Sequence, residues 1–434
     1  MYYAHYTPNS TTNVNKRRFV SKTLPKAIIA LSLMSACAPV ALAQDTQPQP
    51  AAAIADTDAA RITQFETRLK NLREYDNPDA ERWTIEQRME NYGVPGMGVA
   101  IIDKGKIVFA KGYGVQSATS DAPVDANTVF SAGSVSKIIN AALILRLVQE
   151  GQLDLDTDIN RYLTSWKVPE NEYSSGNKIT LRMLLSHTSG FSQHGFEDFL
   201  PDEALPTALQ TLNGEAPAKH DPVRILFTPG SKMKYSGGGI TVSQVLVEDV
   251  TGMPYAEAAR KYVFAPLGMT RSTFVSPLPE SHGNIARAHD SDGQPKALPR
   301  GYESFPEIAA SGLWTSAGDM ARFVLALMQD EDFLTAELRA DMLTRVPLSW
   351  HGLGPRLNGE GDMLVFHHGG ANDHYQTWIE GQPVHGNGFI VLTNGEAGRP
   401  LGYELRFSAD AAFGWPIPFP DGYREPDLGA SEEE

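Results

Sequence analysis

The sequence predicts an α+β fold: an antiparallel sheet formed from both ends of the chain and flanked by helices, with a helical subdomain inserted between them. Three observations carry this reading. Residues 98–110 read as a β-hairpin around the turn Asp103-Lys104-Gly105-Lys106. Met363–Phe366 and Gly388–Thr393 read as strands near the other end. Most of the residues between them have apolar positions at helical spacing. The chain has 434 residues, 41% hydrophobic and 21% charged, which suits a large buried core.

Taken in order, residues 1–43 read as an export signal. Lys16-Arg17-Arg18, Lys22 and Lys26 form a basic start, Ala27–Val40 is mostly apolar, and Ala41-Leu42-Ala43 before Gln44 is a small-x-small cleavage site. The apolar run is short for a membrane span and contains Pro39. A periplasmic or secreted protein is expected. Cys37, in Met34-Ser35-Ala36-Cys37, also resembles a lipoprotein box, with Met at an unusual first position; a lipid there would tether the chain to a membrane. Cys37 is the single cysteine, so no disulfide is expected in the mature protein.

Residues 44–59 are expected to be a linker, rich in Gln, Pro and Ala. Helices are expected over 60–74, 80–91, 138–149, 179–186, 203–212, 240–251, 254–264, 317–328 and 403–412. Lys111-Gly112-Tyr113-Gly114 lacks the spacing of a phosphate loop. The run from Asp154 to Asp158 has Ile159 where a calcium loop needs glycine, and reads as a solvated turn. Residues 416–434 form an acidic tail, expected to be disordered at its end. The net charge is −15, and the basic residues of the signal make the remainder more acidic still, which argues against nucleic-acid binding.

Three stretches carry candidate chemistry. Ser134-x-x-Lys137 opens a helix, so serine and lysine share a face, and a lysine base activates a serine hydroxyl. Tyr235-Ser236-Gly237 places a phenol beside a glycine run; a phenol is a base only where cations favour its anion, and Lys137 is one such cation. His367-His368-Gly369-Gly370-Ala371 follows a strand, where glycines let backbone N–H groups face a cleft. The two histidines point to opposite faces of a strand, so one of them lines the site. With His374 they lack the H-E-x-x-H form of a zinc site, and neither metal nor other cofactor is expected.

In this order the three stretches resemble the motif set of the serine β-lactamase and penicillin-binding protein superfamily, nearest its class C β-lactamases, family VIII esterases and D-alanyl-D-alanine carboxypeptidases. Leu184–Phe191, Phe227–Gly230, Pro266–Thr270 and Ala310–Ser316 agree, and the likeness spans about residues 80 to 415. It implies a catalytic domain over 60–415. Ser134 would be the acylated nucleophile, Lys137 its base and Tyr235 the proton relay. His368 would stand where the family has the K-T-G lysine, and the backbone N–H groups of Ser134 and Ala371 would form the oxyanion hole. Gly369 and Gly370 would border the pocket, and Trp314 either walls it or packs in the core; His187 supports a loop. Three departures matter. Gly237 replaces the asparagine common in lactamases, His368 offers less positive charge than lysine, and Asp373-His374 replaces Pro-Gly, so that His374 narrows the cleft or adds a polar contact. The expected function is therefore an exported serine hydrolase acting on esters or small amides. The rivals are a D-amino-acid peptidase, carboxypeptidase or β-lactamase, and a silent cell-wall-peptide binder, which would be expected to have lost Ser134, Lys137 or Tyr235.

Overall fold

A computed structural model describes residues 56–75, 77–200, 202–298 and 304–416. The export signal with Cys37, residues 44–55 of the linker and residues 417–434 of the tail lie outside the described residues.

Six antiparallel strands form the main sheet in the order β2-β1-β8-β7-β6-β5. They are β1 Gly96–Asp103, β2 Lys106–Gly114, β5 Arg356–Asn358, β6 Val365–Asn372, β7 Tyr375–Gln382 and β8 Asn387–Thr393. A second pair, β3 Phe130–Ser131 and β4 Trp314–Thr315, stands apart. The sheet joins both ends of the chain because β1 pairs with β8, Val99 opposite Val391 and Ala100 opposite Ile390.

Both central strands are buried on both faces, and their continuous apolar runs follow from that. Met97, Val99, Ile101, Phe389 and Val391 face one layer of helices: α1 Asp56–Thr67, α2 Ile85–Tyr92 and α11 Gly398–Phe413. Ala100, Ile102, Ile390 and Leu392 join the other core, with Phe323 and Val324 of α9 Ala317–Gln329. That second core continues into the inserted helices: α3 Ser136–Gln149, α4 Leu181–Leu185, α5 Ala208–Asn213, α6 Gly237–Thr251, α7 Tyr255–Ala259, α8 Ile308–Ser311 and α10 Ala336–Met342.

Boundaries differ from expectation for local reasons. The helix expected over 60–74 ends at Thr67, because Leu69 exchanges backbone hydrogen bonds with Trp83. Helix α1 begins at Asp56, inside the expected linker. Helix α6 begins at Gly237, because the Ser236 hydroxyl caps it by accepting from Gly239 N at 2.9 Å. The strand expected at Met363–Phe366 starts at Val365 and runs on to Asn372, so the His-Gly-Gly stretch is itself strand. Strand β7 and the short β3, β4 and β5 are additions to the expected sheet.

Candidate active site

Ser134 lies in a single 3-10 turn, Gly133–Val135, that runs directly into α3. Lys137, one turn on, is 2% exposed. Its Nζ donates to Ser134 Oγ at 3.1 Å and to the Ala310 carbonyl at 2.9 Å. The same Nζ stands 4.8 Å from the centre of the Tyr235 ring, and the Arg356 guanidinium stands 5.8 Å from that centre. The adjacent serines have other work. Ser136 Oγ donates to Gly133 O at 2.7 Å, and Ser131 Oγ accepts from Asn372 Nδ2 at 2.7 Å.

Two glycines bring the serine turn against β6. Gly133 has φ 50°, and a Cβ there would lie 2.7 Å from Ala371 N. A Cβ on Gly370 would lie 2.0 Å from the Ala132 carbonyl oxygen. The close approach sets the backbone of Ser134 and Ala371 side by side, and both border two cavities of about 390 and 340 Å³ that meet at the serine. Tyr235, His194 and Gln376 are also common to both.

The two lobes differ in charge. The first is lined by His368, Gly369, Arg356 and Arg399, with no carboxylate among its lining residues. The second is lined by Lys137, Gly237 and His374 together with Asp198, Glu307, Asp373 and Glu396. His374, at the β6–β7 turn with φ 67°, adds a polar contact: its Nδ1 is 3.5 Å from Glu396 Oε2.

His368 is 1% exposed, and its Nδ1 donates to the Gly369 carbonyl at 2.6 Å, the tautomer that partner requires. Burial first, then the Arg356 and Lys137 charges, hold its pKa well below the usual histidine value. It is a neutral ring, so the cations of the first lobe are Arg356 and Arg399. His367 points the other way and stacks on Trp378 at 4.8 Å; burial pushes it down to about 3. His187 packs behind Tyr235, ring centres 4.3 Å apart, and its Nδ1 accepts from Ser236 N at 3.2 Å. Among the described residues no three His, Cys, Asp or Glu side chains are grouped to hold a metal ion.

Two expected pocket residues are elsewhere. Trp314 does not reach the cleft: it is 3% exposed and packs edge-on to Tyr375 at 5.6 Å. Gly370 lines neither cavity and serves the close approach to Ala132. Conversely, Arg356, His194, His351 and Glu307 surround the site without any local pattern to mark them. Glu307 is 2% exposed and burial pushes it up to about 7, against the pull of Lys137.

Residues 82–413 match the model of the family described as Beta-lactamase. The chain is 31% identical over 241 residues to a beta-lactamase of Lysobacter lactamgenus, covering 54% of this chain and 56% of that one. It is 30% identical over 297 residues to Esterase EstB of Burkholderia gladioli, covering 61% of this chain and 72% of that one. Other relatives are matched over 61% of their length. The octameric penicillin-binding protein homologue from Pyrococcus abyssi has a similar fold, with TM-score 0.61 and 24% identity over 76% of each chain. With the family match spanning most of its length and the serine, lysine and tyrosine gathered at one cleft, this chain belongs to the Beta-lactamase family.

Proposed function

We propose that this chain is an exported serine hydrolase that works through an acyl-enzyme on Ser134 and acts on esters or small amides. The observation that carries the reading is Lys137 Nζ held between Ser134 Oγ and the Ala310 carbonyl, against the Tyr235 ring. The Ser134 oxygen attacks the substrate carbonyl while its proton passes to Lys137, which acts at this step as the neutral amine. Tyr235 relays a proton to the departing alcohol or amine. The backbone N–H groups of Ser134 and Ala371 receive the tetrahedral oxyanion, a role in which each donor contributes about 3–4 kcal/mol. Water then releases the acid and frees Ser134.

Two features favour esters over β-lactams. Gly237 provides no side-chain amide, and His368 is neutral where a cation would capture a carboxylate. Arg356, with its charge in the first lobe, favours the second reading, a β-lactamase or D-amino-acid carboxypeptidase. Export rests on the basic-then-apolar start of the sequence; N-terminal analysis of the mature protein decides between cleavage after Ala43 and a lipid on Cys37.

Mass spectrometry after incubation with a p-nitrophenyl ester tests the reaction. A covalent adduct is expected on the wild type and absent from Ser134→Ala. A chromogenic cephalosporin and a D-Ala-D-Ala peptide, turned over in parallel, separate the two readings. If no ester, peptide or β-lactam labels the protein, the hydrolase reading falls and a silent peptide binder replaces it.

A further inference from the structure

The Glu307 carboxyl is a buried acid with no assigned work. It immediately precedes α8, whose Ala310 carbonyl holds Lys137, and its own backbone carbonyl accepts from Ala310 N at 2.9 Å and Ser311 N at 3.0 Å. The main chain is thus anchored at the wall of the second lobe, and Ser311 hydrogen-bonds to the carboxyl, yet its Oε2 has no hydrogen-bond partner among the described residues. A buried carboxyl oxygen without a donor is unfavourable, and a donor arriving with the substrate relieves it. Lys137 is already engaged by Ser134 and Ala310. Asp198, Asp373 and Glu396 border the same lobe, so its field favours a cation, while the lobe on the other side of Ser134 carries Arg356 and Arg399.

We infer that the Glu307 lobe is a subsite for a cationic group of the substrate, a primary ammonium on a short arm beside the scissile carbonyl. An ammonium presents three donors in a compact head; beside Glu307, whose carboxyl burial raises to about 7, its charge favours the ionised carboxylate, with further acids flanking it. The inference rests on the hydrolase reading at Ser134 and adds to it the class of substrate: an amine-bearing ester or amide.

Isosteric pairs test it, each differing only in methyl against ammonium. One pair varies the acyl side, p-nitrophenyl butyrate against p-nitrophenyl β-alaninate. The other varies the leaving group, propyl acetate against aminoethyl acetate. In one pair the wild type should prefer the amine by about tenfold or more in kcat/KM, the size expected of a hydrogen bond to a charged group. Glu307→Gln should bring that ratio towards one. A wild-type ratio near one in both pairs overturns the inference, whether or not the variant folds. A ratio unchanged in Glu307→Gln, with both members slowed alike, also overturns it and makes Glu307 a positioning residue for Lys137. Acylation of Ser134 by the methyl members without amine preference sinks the subsite alone; no acylation by any of the four esters sinks the hydrolase reading with it.

Discussion

At Gly237 the residue type follows from the backbone opposite. Its N–H donates to the His194 carbonyl at 3.0 Å, and a Cβ would lie 2.8 Å from that same oxygen. Contact that short forces backbone to move. An asparagine, as in related lactamases, would push the 193–195 segment off the start of α6 and displace the His194 ring from Tyr235, now 4.8 Å away. Gly237→Asn should therefore lower kcat/KM for p-nitrophenyl butyrate about tenfold, equivalent to roughly 1.4 kcal/mol, and bring no cephalosporin turnover. Intact ester turnover together with new lactamase activity would show that the asparagine alone separates the two chemistries. Residues at this scale divide by how they are encoded. Ser134 and Lys137 are one helical turn apart, and Tyr235 and His368 sit beside glycine runs, so their setting is local and legible in the sequence. Glu307 and Arg356 reach the cleft only through the packing of distant segments, and no spacing announces them.

At the scale of elements, the start of α3 is held by a hydroxyl. Ser136 is fully buried; its Oγ donates to Gly133 O and accepts from Leu313 N at 3.0 Å, tying the nucleophile's turn to the segment that supplies Ala310. Ser136→Ala removes the acceptor of Leu313 N, while Gly133 O keeps the backbone N–H of residue 136; the lost pairing costs about 1–3 kcal/mol. The expected outcome is a lower melting temperature and a lower kcat on a simple ester with KM little changed, since the change loosens Ser134 rather than the pocket. A melting temperature that falls with kcat unaffected would show that the turn holds its place without this bridge. The same long-range pairing explains which elements the sequence conceals. The hairpin and β8 are legible because apolar alternation or runs match their burial. Strand β7 carries Gln376, Glu380 and Gln382, and two of its polar groups find partners on later elements: Arg406 pairs with buried Glu380, and the Thr393 hydroxyl donates to the Gln376 carbonyl at 3.1 Å. In sequence these residues look like a polar loop.

Across the whole molecule, buried histidines and raised carboxyls among the described residues pull stability in opposite directions with pH. Burial is the largest cause holding His187, His289, His367 and His368 below the ordinary value, His367 at about 3. Below the ordinary histidine pKa the unfolded chain takes up protons at these positions and the native state does not, so stability rises with pH across that range. Glu307 and Asp410 act in the opposite sense. Burial raises both to about 7, so the native state holds protons that the unfolded chain has released, and their contribution is lost as pH rises through that value. With these four lowered histidines against two carboxyls raised as far as about 7, the urea midpoint should climb from about pH 5 to a maximum near about pH 6.5 to 7, as unfolded histidine loses its proton, and then decline slightly through about pH 7 to 8. Replacing His367 with phenylalanine keeps an aromatic ring against Trp378 and removes one titrating group, so the climb on the acid side should be shallower in that variant. A midpoint that is flat or falls between about pH 5 and 6.5 would mean that the buried imidazoles are protonated in the native state, and the neutral His368 on which the preference for esters rests would go with it.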